Sequence, residues 1–398
     1  MKAATCPGPF WQMLCAIALG IAFGVAQPEL AVRMKPLGDA FVSVIRLLVV
    51  PIIFFTVAPG IAAIGSMRQS GRVGIKALIC FELLSILALC TGLAVALLMK
   101  PGAGIRLDPA RLASGPSPGP LQTLAEAFMH NPALQVLLLA MLCGIALALP
   151  GQRAAPWRAH CEQTGARLFR LVGLILKAAP LAAFGAIACT VGKHGLAAIL
   201  PLLNLLGALY LASALFVLLV LGAVARLCRF ELLRFIAYIR DELMIVIGTA
   251  SSIAAMPMLM DKLERAGCAR PVVGVVVPAG YSFNLNGSNV YIATALVFLA
   301  QAMHIALGPC DYLTVIVVAL VTSKGASGVA GSAFIALAAT LAAVPAIPAG
   351  SLLFIIGIER MLKCRSMTNL IGNGVACLAI SAWDGTLDRD KLRACGLG

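Results

Sequence analysis

A strip of polar side chains interrupts one of the most apolar parts of the sequence. The segment GYSFNLNGSNVY, residues 280–291, lies in a run that has no charged residue between Pro271 and Cys310. Its amides and aliphatic hydroxyls belong to Ser282, Asn284, Asn286, Ser288 and Asn289. One interpretation is that they join neighbouring helices by hydrogen bonds. Their crowding around Gly287 favours another interpretation, in which they line a polar chamber inside an apolar protein.

The segment CRSMTNLIGNGVA, residues 364–376, contains a second polar pattern. Arg365, Asn369 and Asn373 are spaced by four, so they share one face of a helix. An arginine in a membrane interior is costly and usually marks the pathway of a substrate or an ion. Guanidinium binds a carboxylate through two parallel hydrogen bonds, which adds planar selectivity to the binding energy. The pattern predicts a site for an anion that carries a carboxylate.

The charged residues just before Arg365 leave an alternative open. Glu359, Arg360 and Lys363 precede it, so the side chain of Arg365 could extend from a helix end to the membrane surface. From the residues alone, the two interpretations are equally supported.

Composition indicates what kind of elements must position these segments. Of the 398 residues, 61% are hydrophobic and 12% are charged, and the mean hydropathy is +1.00. Soluble domains carry about 25% charged residues, so the chain is predicted to be an integral membrane protein. A spanning helix needs about 20 apolar residues, which makes the charge-free runs the candidate spans. They are Ala3–Pro28, Leu47–Met67, Leu83–Met99, Ala127–Gln152, Ala178–Gly192, Gly195–Ala225, Leu243–Met260, Pro271–Cys310, Gly325–Ile358 and Ser366–Trp383.

The net charge is +14, and the basic residues that cause it are grouped in particular loops rather than in one surface patch. Lys and Arg are concentrated on alternate connections, at 68–76, 153–177, 226–240 and 262–270. This is the positive-inside pattern of membrane proteins, and it predicts that both termini are cytoplasmic. The charge therefore reports topology, and no nucleic-acid partner is expected. The 13 cysteines are scattered without metal-ligand spacing, so no bound metal is expected beyond a transported cation.

Two later segments carry small polar residues and glycines in the middle of apolar runs. They are GTASSIAAMP, residues 248–257, and SKGASGVAGSAF, residues 323–334. Irregular backbone at membrane depth is tolerated only inside protein or along a cavity. Paired interrupted segments indicate an inverted-repeat transporter with a site near the midplane. The two repeats would be about 232–304 and about 312–384, each a helical hairpin followed by a helix.

Several motifs together resemble the dicarboxylate/amino acid:cation symporter family, and its bacterial C4-dicarboxylate branch in particular. The similarity runs from about Phe10 to Leu392. The motifs, in order, are SVIRLLVVPIIFFTVAPGIAAIGSM, KPGAG, IRDELMIVIGTASS, LERAGC, GYSFNLNGSNVY, SKGASGVAGSAF and RSMTNLIGNGVA. The resemblance implies an all-α membrane protein with eight transmembrane helices and two reentrant helical hairpins. It also implies a homotrimer and an elevator mechanism in a bacterial inner membrane.

The same resemblance implies a division of the chain. Residues 1–226 would hold transmembrane helices 1 to 6, which form the trimerisation scaffold and part of the transport domain. Residues 227–384 would hold both hairpins with helices 7 and 8, and residues 385–398 a short cytoplasmic tail. Helix 7 would be unwound at Asn284–Ser288, and the outer gate would be Gly325–Gly331.

Site residues follow from the resemblance by position. Substrate would be bound by Ser251, Ser252, Ser288, Val329, Gly331, Arg365, Ser366 and Asn369. Cations would be bound by Gly280, Ser282, Asn284, Asn286, Ser323, Asn369 and Asn373. Leu362 stands three residues before Arg365, where members that carry acidic amino acids place an aspartate for the substrate's amine. A dicarboxylate without an amine, such as succinate, fumarate or malate, therefore fits better.

The chain departs from the family's motifs at several acidic positions. Asn286 stands where relatives usually place an aspartate, and Ile253 stands where they typically place a glutamate at the inner hairpin. Apart from the acids, Ala333 stands where some relatives carry glycine. Glu359 stands six residues before Arg365 rather than seven, which on a continuous helix would rotate it by about 100°. Cation coupling would then use fewer ions or protons, or transport would be impaired.

Glu82 is the best remaining intramembrane carboxylate for a proton site. The alternative is a carboxylate at a helix end that bonds neighbouring backbone. Ser323 and Lys324 together could suggest a hydrolase, but adjacent residues on a helix do not face each other.

The predicted function is a secondary active symporter for C4-dicarboxylates, coupled to Na⁺ or H⁺. It would have no cofactor, and its partners would be the dicarboxylate, the lipid bilayer and two further copies of the chain. The alternative is a transport-impaired paralogue that acts as a dicarboxylate sensor or regulatory partner. No enzymatic activity is expected.

Overall fold

The computed structural model of the chain is all-helical in the part that it describes. That part comprises residues 9–41, 71–103, 132–148, 155–195, 200–249, 251–324, 332–342, 347–359 and 361–398, with residue 344 and scattered positions between 43 and 62.

The helices are numbered here in chain order. They are α1 (Pro9–Ala26), α2 (Pro28–Val32), α3 (Arg72–Met99), α4 (Pro132–Ala148), α5 (Ala155–Ile175), α6 (Ala179–His194), α7 (Leu200–Leu215), α8 (Gly222–Leu227), α9 (Leu232–Tyr238), α10 (Arg240–Thr249), α11 (Met256–Arg265), α12 (Arg270–Phe283), α13 (Asn286–Ala302), α14 (Pro309–Lys324), α15 (Ser332–Ala342), α16 (Leu352–Glu359), α17 (Lys363–Trp383) and α18 (Arg389–Ala394). A π-helical stretch, Phe216–Leu221, joins α7 to α8, and 3-10 turns lie at Leu176–Ala178, Ser252–Ala255 and Ala349–Ser351.

Three helical stretches of the described residues are long and apolar enough to cross a membrane. They are Arg72–Met99, Leu200–Leu227 and Arg270–Ala302, with 28, 28 and 33 residues. A helix of 28 residues extends for about 42 Å, which exceeds the ~30 Å hydrocarbon core of a bilayer. The first two expose large apolar side chains, such as Leu98 and Leu219, which lipid would cover. The third is enclosed by protein along its apolar length and forms the centre of the molecule.

Close packing joins α3 to this central stretch. Gly92 of α3 lies so near α13 that an added Cβ atom would come within 2.7 Å of the Val290 carbonyl oxygen. At the far end of α3, Gln301 donates from Nε2 to the Ala96 carbonyl at 2.9 Å. Its Oε1 accepts a 3.1 Å hydrogen bond from the backbone N–H of Gly102. The Ala96 carbonyl also accepts the backbone N–H of Lys100, so Gln301 adds a second hydrogen bond there and fixes the end of α3 along α13.

Segments that the charge pattern assigns to one side of the membrane meet in space. Lys76, at the start of α3, forms a 2.6 Å ion pair with Asp384, just after α17. The tail carries α18, which docks through buried Leu392 and Leu397. Its backbone is tied to the rest of the chain by a 2.9 Å hydrogen bond from Asp388 N–H to the Gly267 carbonyl. The ends of α3 and α17 and the docked tail therefore lie close together, and the cytoplasmic orientation read from the charge pattern stays a prediction.

The first interrupted segment folds back on itself. Its arms are α10 and α11, and a bend between them includes Ser252–Ala255. At the open end, Lys262 Nζ donates to the Tyr238 carbonyl at 2.7 Å and pairs with the buried carboxylate of Glu242 at 2.8 Å. The two ends thus lie side by side, which is the geometry expected of a hairpin that enters and leaves on one face.

The second interrupted segment has arms α14 and α15, which contact each other. The hydroxyls of Thr322 and Thr340 lie 2.9 Å apart across that contact. The predicted outer gate, Gly325–Gly331, lies outside the described residues.

Candidate functional site

The central stretch breaks at the polar strip identified in the sequence. Pro278 lies inside α12 and cannot donate a hydrogen bond to the preceding turn. The helix ends at Phe283, and α13 begins at Asn286. The break is therefore narrower than the predicted Asn284–Ser288, because Asn286, Gly287 and Ser288 form the first turn of α13.

The first turn of α13 is held by a side chain of α17. Oδ1 of Asn369 accepts hydrogen bonds from the backbone N–H groups of Gly287 at 2.8 Å and Ser288 at 3.4 Å. Nδ2 of Asn369 donates to Oγ of Ser288 at 3.4 Å. The first N–H groups of a helix lack intrahelical partners, so Asn369 acts as their cap from another helix. The predicted site residues Ser288 and Asn369 are therefore in direct contact.

Only a glycine fits at the point of closest approach between α13 and α17. A Cβ atom on Gly287 would collide with the backbone carbonyl of Arg365. The backbone of the predicted substrate arginine is therefore fixed against the first turn of α13.

Two of the predicted cation residues contact each other across the same interface. Nδ2 of Asn284 donates to the Gly372 carbonyl at 3.2 Å and to Oδ1 of Asn373 at 3.1 Å. The side-chain amide of Asn373 also lies directly against the backbone of Gly280. Hydrogen bonding between helices, the first interpretation of the strip, is thus correct for part of the Asn284 side chain.

Other polar atoms of the strip have no hydrogen-bond partner within the described part of the chain. They are Oδ1 of Asn284, both side-chain polar atoms of Asn286 and of Asn289, and Nδ2 of Asn373. Each of the four side chains is buried. A buried polar group without a partner costs about 1–3 kcal/mol, so their concentration at one helix break indicates a site that a polar or charged ligand would satisfy.

Arg365 lies inside the protein and not at a membrane surface. Its side chain is 7% exposed, and its Nη1 donates a 2.9 Å hydrogen bond to Oε1 of Glu359, which is 5% exposed. The guanidinium also lies 5.7 Å from the centre of the Tyr291 ring, within cation–π range. The alternative of an arginine that extends to the interface is therefore wrong.

The pairing of Glu359 with Arg365 depends on a second helix break. Helix α16 ends at Glu359 and α17 begins at Lys363, so the expected rotation along a continuous helix does not apply. The hydroxyl of Tyr210 donates to the Met361 carbonyl at 2.9 Å and supports the turn. The turn lets the carboxylate fold back onto the guanidinium.

The remaining predicted substrate residues are distributed between the inner hairpin and α17. Ser252 lies at the bend between α10 and α11 and is 1% exposed, and that bend contacts α17. Ser251 precedes it and is half-buried, and Ser366 is buried beside Arg365. Val329 and Gly331 lie outside the described residues.

The remaining predicted cation residues have different surroundings. Ser282 is half-buried in the last turn of α12. Ser323 is buried, and its hydroxyl donates to the Leu320 carbonyl at 3.2 Å.

Glu82 lies within α3 rather than at a helix end, so the alternative that places it at a helix terminus is wrong. Its carboxylate forms a 2.7 Å ion pair with Lys324, the last residue of α14. Lys324 also donates to the Phe283 carbonyl at 3.0 Å. The sequence did not indicate the position of Lys324 at the helix break, since the available signal was a lysine inside an apolar run.

Comparison with known proteins identifies the family. The Sodium:dicarboxylate symporter family matches residues 10–383. The chain belongs to this family.

Similar proteins within the family cover almost the whole chain. A C4-dicarboxylate transport protein from Paraburkholderia phymatum is 49% identical over 401 residues, which is 96% of this chain and 94% of that protein. Proteins of the same name from Burkholderia pseudomallei and Burkholderia multivorans are each 48% identical over 96% of this chain, and over 94% and 93% of their own lengths.

Membership in the sodium:dicarboxylate symporter family confirms the resemblance read from the motifs. The chain is a multi-pass membrane transporter and not an enzyme. The geometry at Ser323 and Lys324 agrees, because the ammonium of Lys324 is engaged by Glu82 and Phe283 rather than by the serine.

Proposed function

We propose that the chain is a secondary active symporter that carries C4-dicarboxylates inward, coupled to Na⁺ or H⁺. The observation that carries this proposal is a buried arginine, Arg365, beside a helix break lined by unpartnered amides. The names of the similar proteins support the substrate class.

The chemistry of Arg365 favours a carboxylate as ligand. A guanidinium has five N–H donors in a planar fork, and one of them is engaged by Glu359. The buried hydroxyl of Ser252, which has no partner within the described residues, is a further donor for an anion. Leu362 caps α17 where an ammonium would need a carboxylate, so a dicarboxylate without an amine, such as succinate, fumarate or malate, is the better substrate.

A cation would be held on the other side of the same break. The end of α12 provides the negative end of a helix dipole, and Asn284 and Asn286 supply amide oxygens. Carbonyl and amide oxygens suit a hard cation such as Na⁺. A cation and a dianion bound to adjacent parts of one chamber would raise each other's affinity, which is the thermodynamic basis of symport.

The proposed transport mechanism is an elevator mechanism, in which a transport domain moves against a trimerisation scaffold. Eight transmembrane helices and two reentrant hairpins would assemble as a homotrimer in the inner membrane, with both termini in the cytoplasm. The folded-back arms α10 and α11 support the inner hairpin, and the clustering of basic helix ends supports the orientation.

A second candidate is a transport-impaired paralogue that binds dicarboxylate as a sensor or regulatory partner. Asn286 and Ile253 stand where family members carry acids, which favours it. The Glu359 carboxylate already engages Arg365, and this would also weaken the capture of substrate.

Uptake by purified protein in liposomes separates the two candidates. We expect labelled succinate to accumulate under an inward sodium or proton gradient, and excess fumarate to compete with it more strongly than aspartate does. Arg365→Ala should abolish uptake, whereas Arg234→Ala, which removes an exposed ion pair with Glu231, should not. Succinate binding without uptake under either gradient would establish the sensor instead.

A further inference from the structure

The ammonium of Lys324 lies at the end of α12. Its Nζ is 3.0 Å from the Phe283 carbonyl oxygen and 2.7 Å from Oε1 of Glu82. The Lys324 side chain is 5% exposed, whereas that of Glu82 is 40% exposed. A lysine is rarely buried unless it is paired, so these two oxygens explain how the charge is kept inside the protein.

The Phe283 carbonyl is a strong acceptor because of its position. It belongs to the last residue of α12, and the terminal carbonyls of a helix lack intrahelical N–H partners and carry the negative end of the dipole. It also lies 3.4 Å from the hydroxyl of Ser85 in α3. The next residue is Asn284, one of the proposed cation residues.

A backbone carbonyl, a hydroxyl and a carboxylate together form an all-oxygen environment of the kind that hard cations prefer. Lys324 supplies a single positive charge to that environment. A second cation at the same oxygens would meet a like charge at contact distance, and burial of the site strengthens that repulsion.

We propose that the Lys324 ammonium is a tethered cation, which occupies at the break of the central stretch a position that a dissolved sodium ion would otherwise take. The chain then needs one dissolved cation fewer than the same protein with a neutral residue at position 324. Because Lys324 is the last residue of α14, the same charge holds that arm against α3 and α12. This inference rests on the proposed cation-coupled transport.

Thermal unfolding of the purified protein in detergent, in sodium chloride and in choline chloride of equal concentration, tests the inference. Lys324→Met removes the ammonium from the oxygen atoms of Phe283, Ser85 and Glu82 and adds no new charge. We expect this variant to be stabilised by sodium in a saturable way, with an affinity at least about tenfold higher than that of the unsubstituted protein. Lys76→Met is the matched control, since it removes an ion pair with Asp384 on another face, and it should show no gain in sodium response.

The remaining outcomes are also decisive. An equal sodium response in the Lys324→Met variant and the unsubstituted protein, including no response in either, would overturn the inference. If Lys324→Met does not fold in choline, recovery of folded protein in sodium supports it. If neither Lys324→Met nor the more conservative Lys324→Gln folds in either salt, the lysine is structural and the inference is overturned. Succinate stabilisation of the unsubstituted protein, measured in parallel, tests the proposed function separately.

Discussion

The guanidinium of Arg365 and the carboxylate of Glu359 form a 2.9 Å ion pair that is almost fully buried. The carboxylate of Glu359 occupies one N–H donor at the edge of the guanidinium that the proposed substrate would bind. If Arg365 binds the proposed dicarboxylate, Glu359 competes with that ligand for the guanidinium.

Replacing Glu359 with Gln should strengthen dicarboxylate binding. The neutral amide still accepts a hydrogen bond but releases the charge of Arg365, so we expect the Kd for succinate to fall by about tenfold. The same change should lower thermal stability, because a buried charge that loses its partner is costly. Calorimetric titration measures the first effect and thermal unfolding the second. Weaker succinate binding would show instead that Glu359 orients Arg365 for the substrate.

Two substitutions of Asn369 should show whether its hydrogen bonds to the first turn of α13 stabilise the protein. Loss of its Oδ1 in Asn369→Ala leaves the N–H groups of Gly287 and Ser288 without their acceptor. We expect a loss of about 1 kcal/mol in the free energy of unfolding, as for other helix caps. Asn369→Asp keeps the acceptor and should retain most of the stability. If both variants lost the same stability in denaturant titrations, the cap would not be the cause.

Replacing Asn286 with Asp should increase the dependence of transport on sodium. Both polar atoms of the Asn286 side chain lack partners in the described chain, and a carboxylate there would supply a charged ligand to a cation. We expect the sodium concentration for half-maximal succinate uptake to fall by about tenfold. Asn286→Ala is the neutral control and should not show the gain. A flat sodium response in the aspartate variant would place the cation elsewhere.

The docked tail should loosen in acid. Asp388 accepts hydrogen bonds from the backbone N–H groups of Lys391 and Asp390 at the start of α18. The bond from Lys391, followed by that from Asp390 and the lysine's charge, lowers the pKa of Asp388 below its usual 3.8.

A lowered pKa means that this stabilisation is complete above about pH 4 and is lost as the pH falls through the folded-state pKa. Hydrogen exchange of residues 389–397 should therefore quicken at low pH. In Asp388→Asn the side chain does not titrate and keeps an acceptor, so its exchange should follow only the intrinsic pH dependence. Identical profiles for the two proteins would exclude Asp388 as the cause.

The polar residues around Gly287 favoured a polar chamber inside an apolar protein, and the resemblance to the family implied the helix break that begins at Asn284. The extent of the break was predicted less well, since it depends on Asn369 capping the first turn of α13 from another helix. No local pattern at residues 359–363 indicates the turn that brings Glu359 onto Arg365. The pairing of Glu82 with Lys324 was also missed, because it joins helices that are distant along the chain and only the fold brings them together.

The contacts of Gly92 and Gly287 have a mechanical consequence. At Gly92, α3 meets α13 without an intervening side chain, and at Gly287, α13 meets α17 in the same way. Helices in backbone contact cannot slide past one another without steric collision, so the three would be carried as a single rigid body. Spin labels on α3 and α17 would then report one fixed distance at every stage of transport. The distance from this labelled pair to a third label elsewhere would show which parts of the molecule move relative to the three helices.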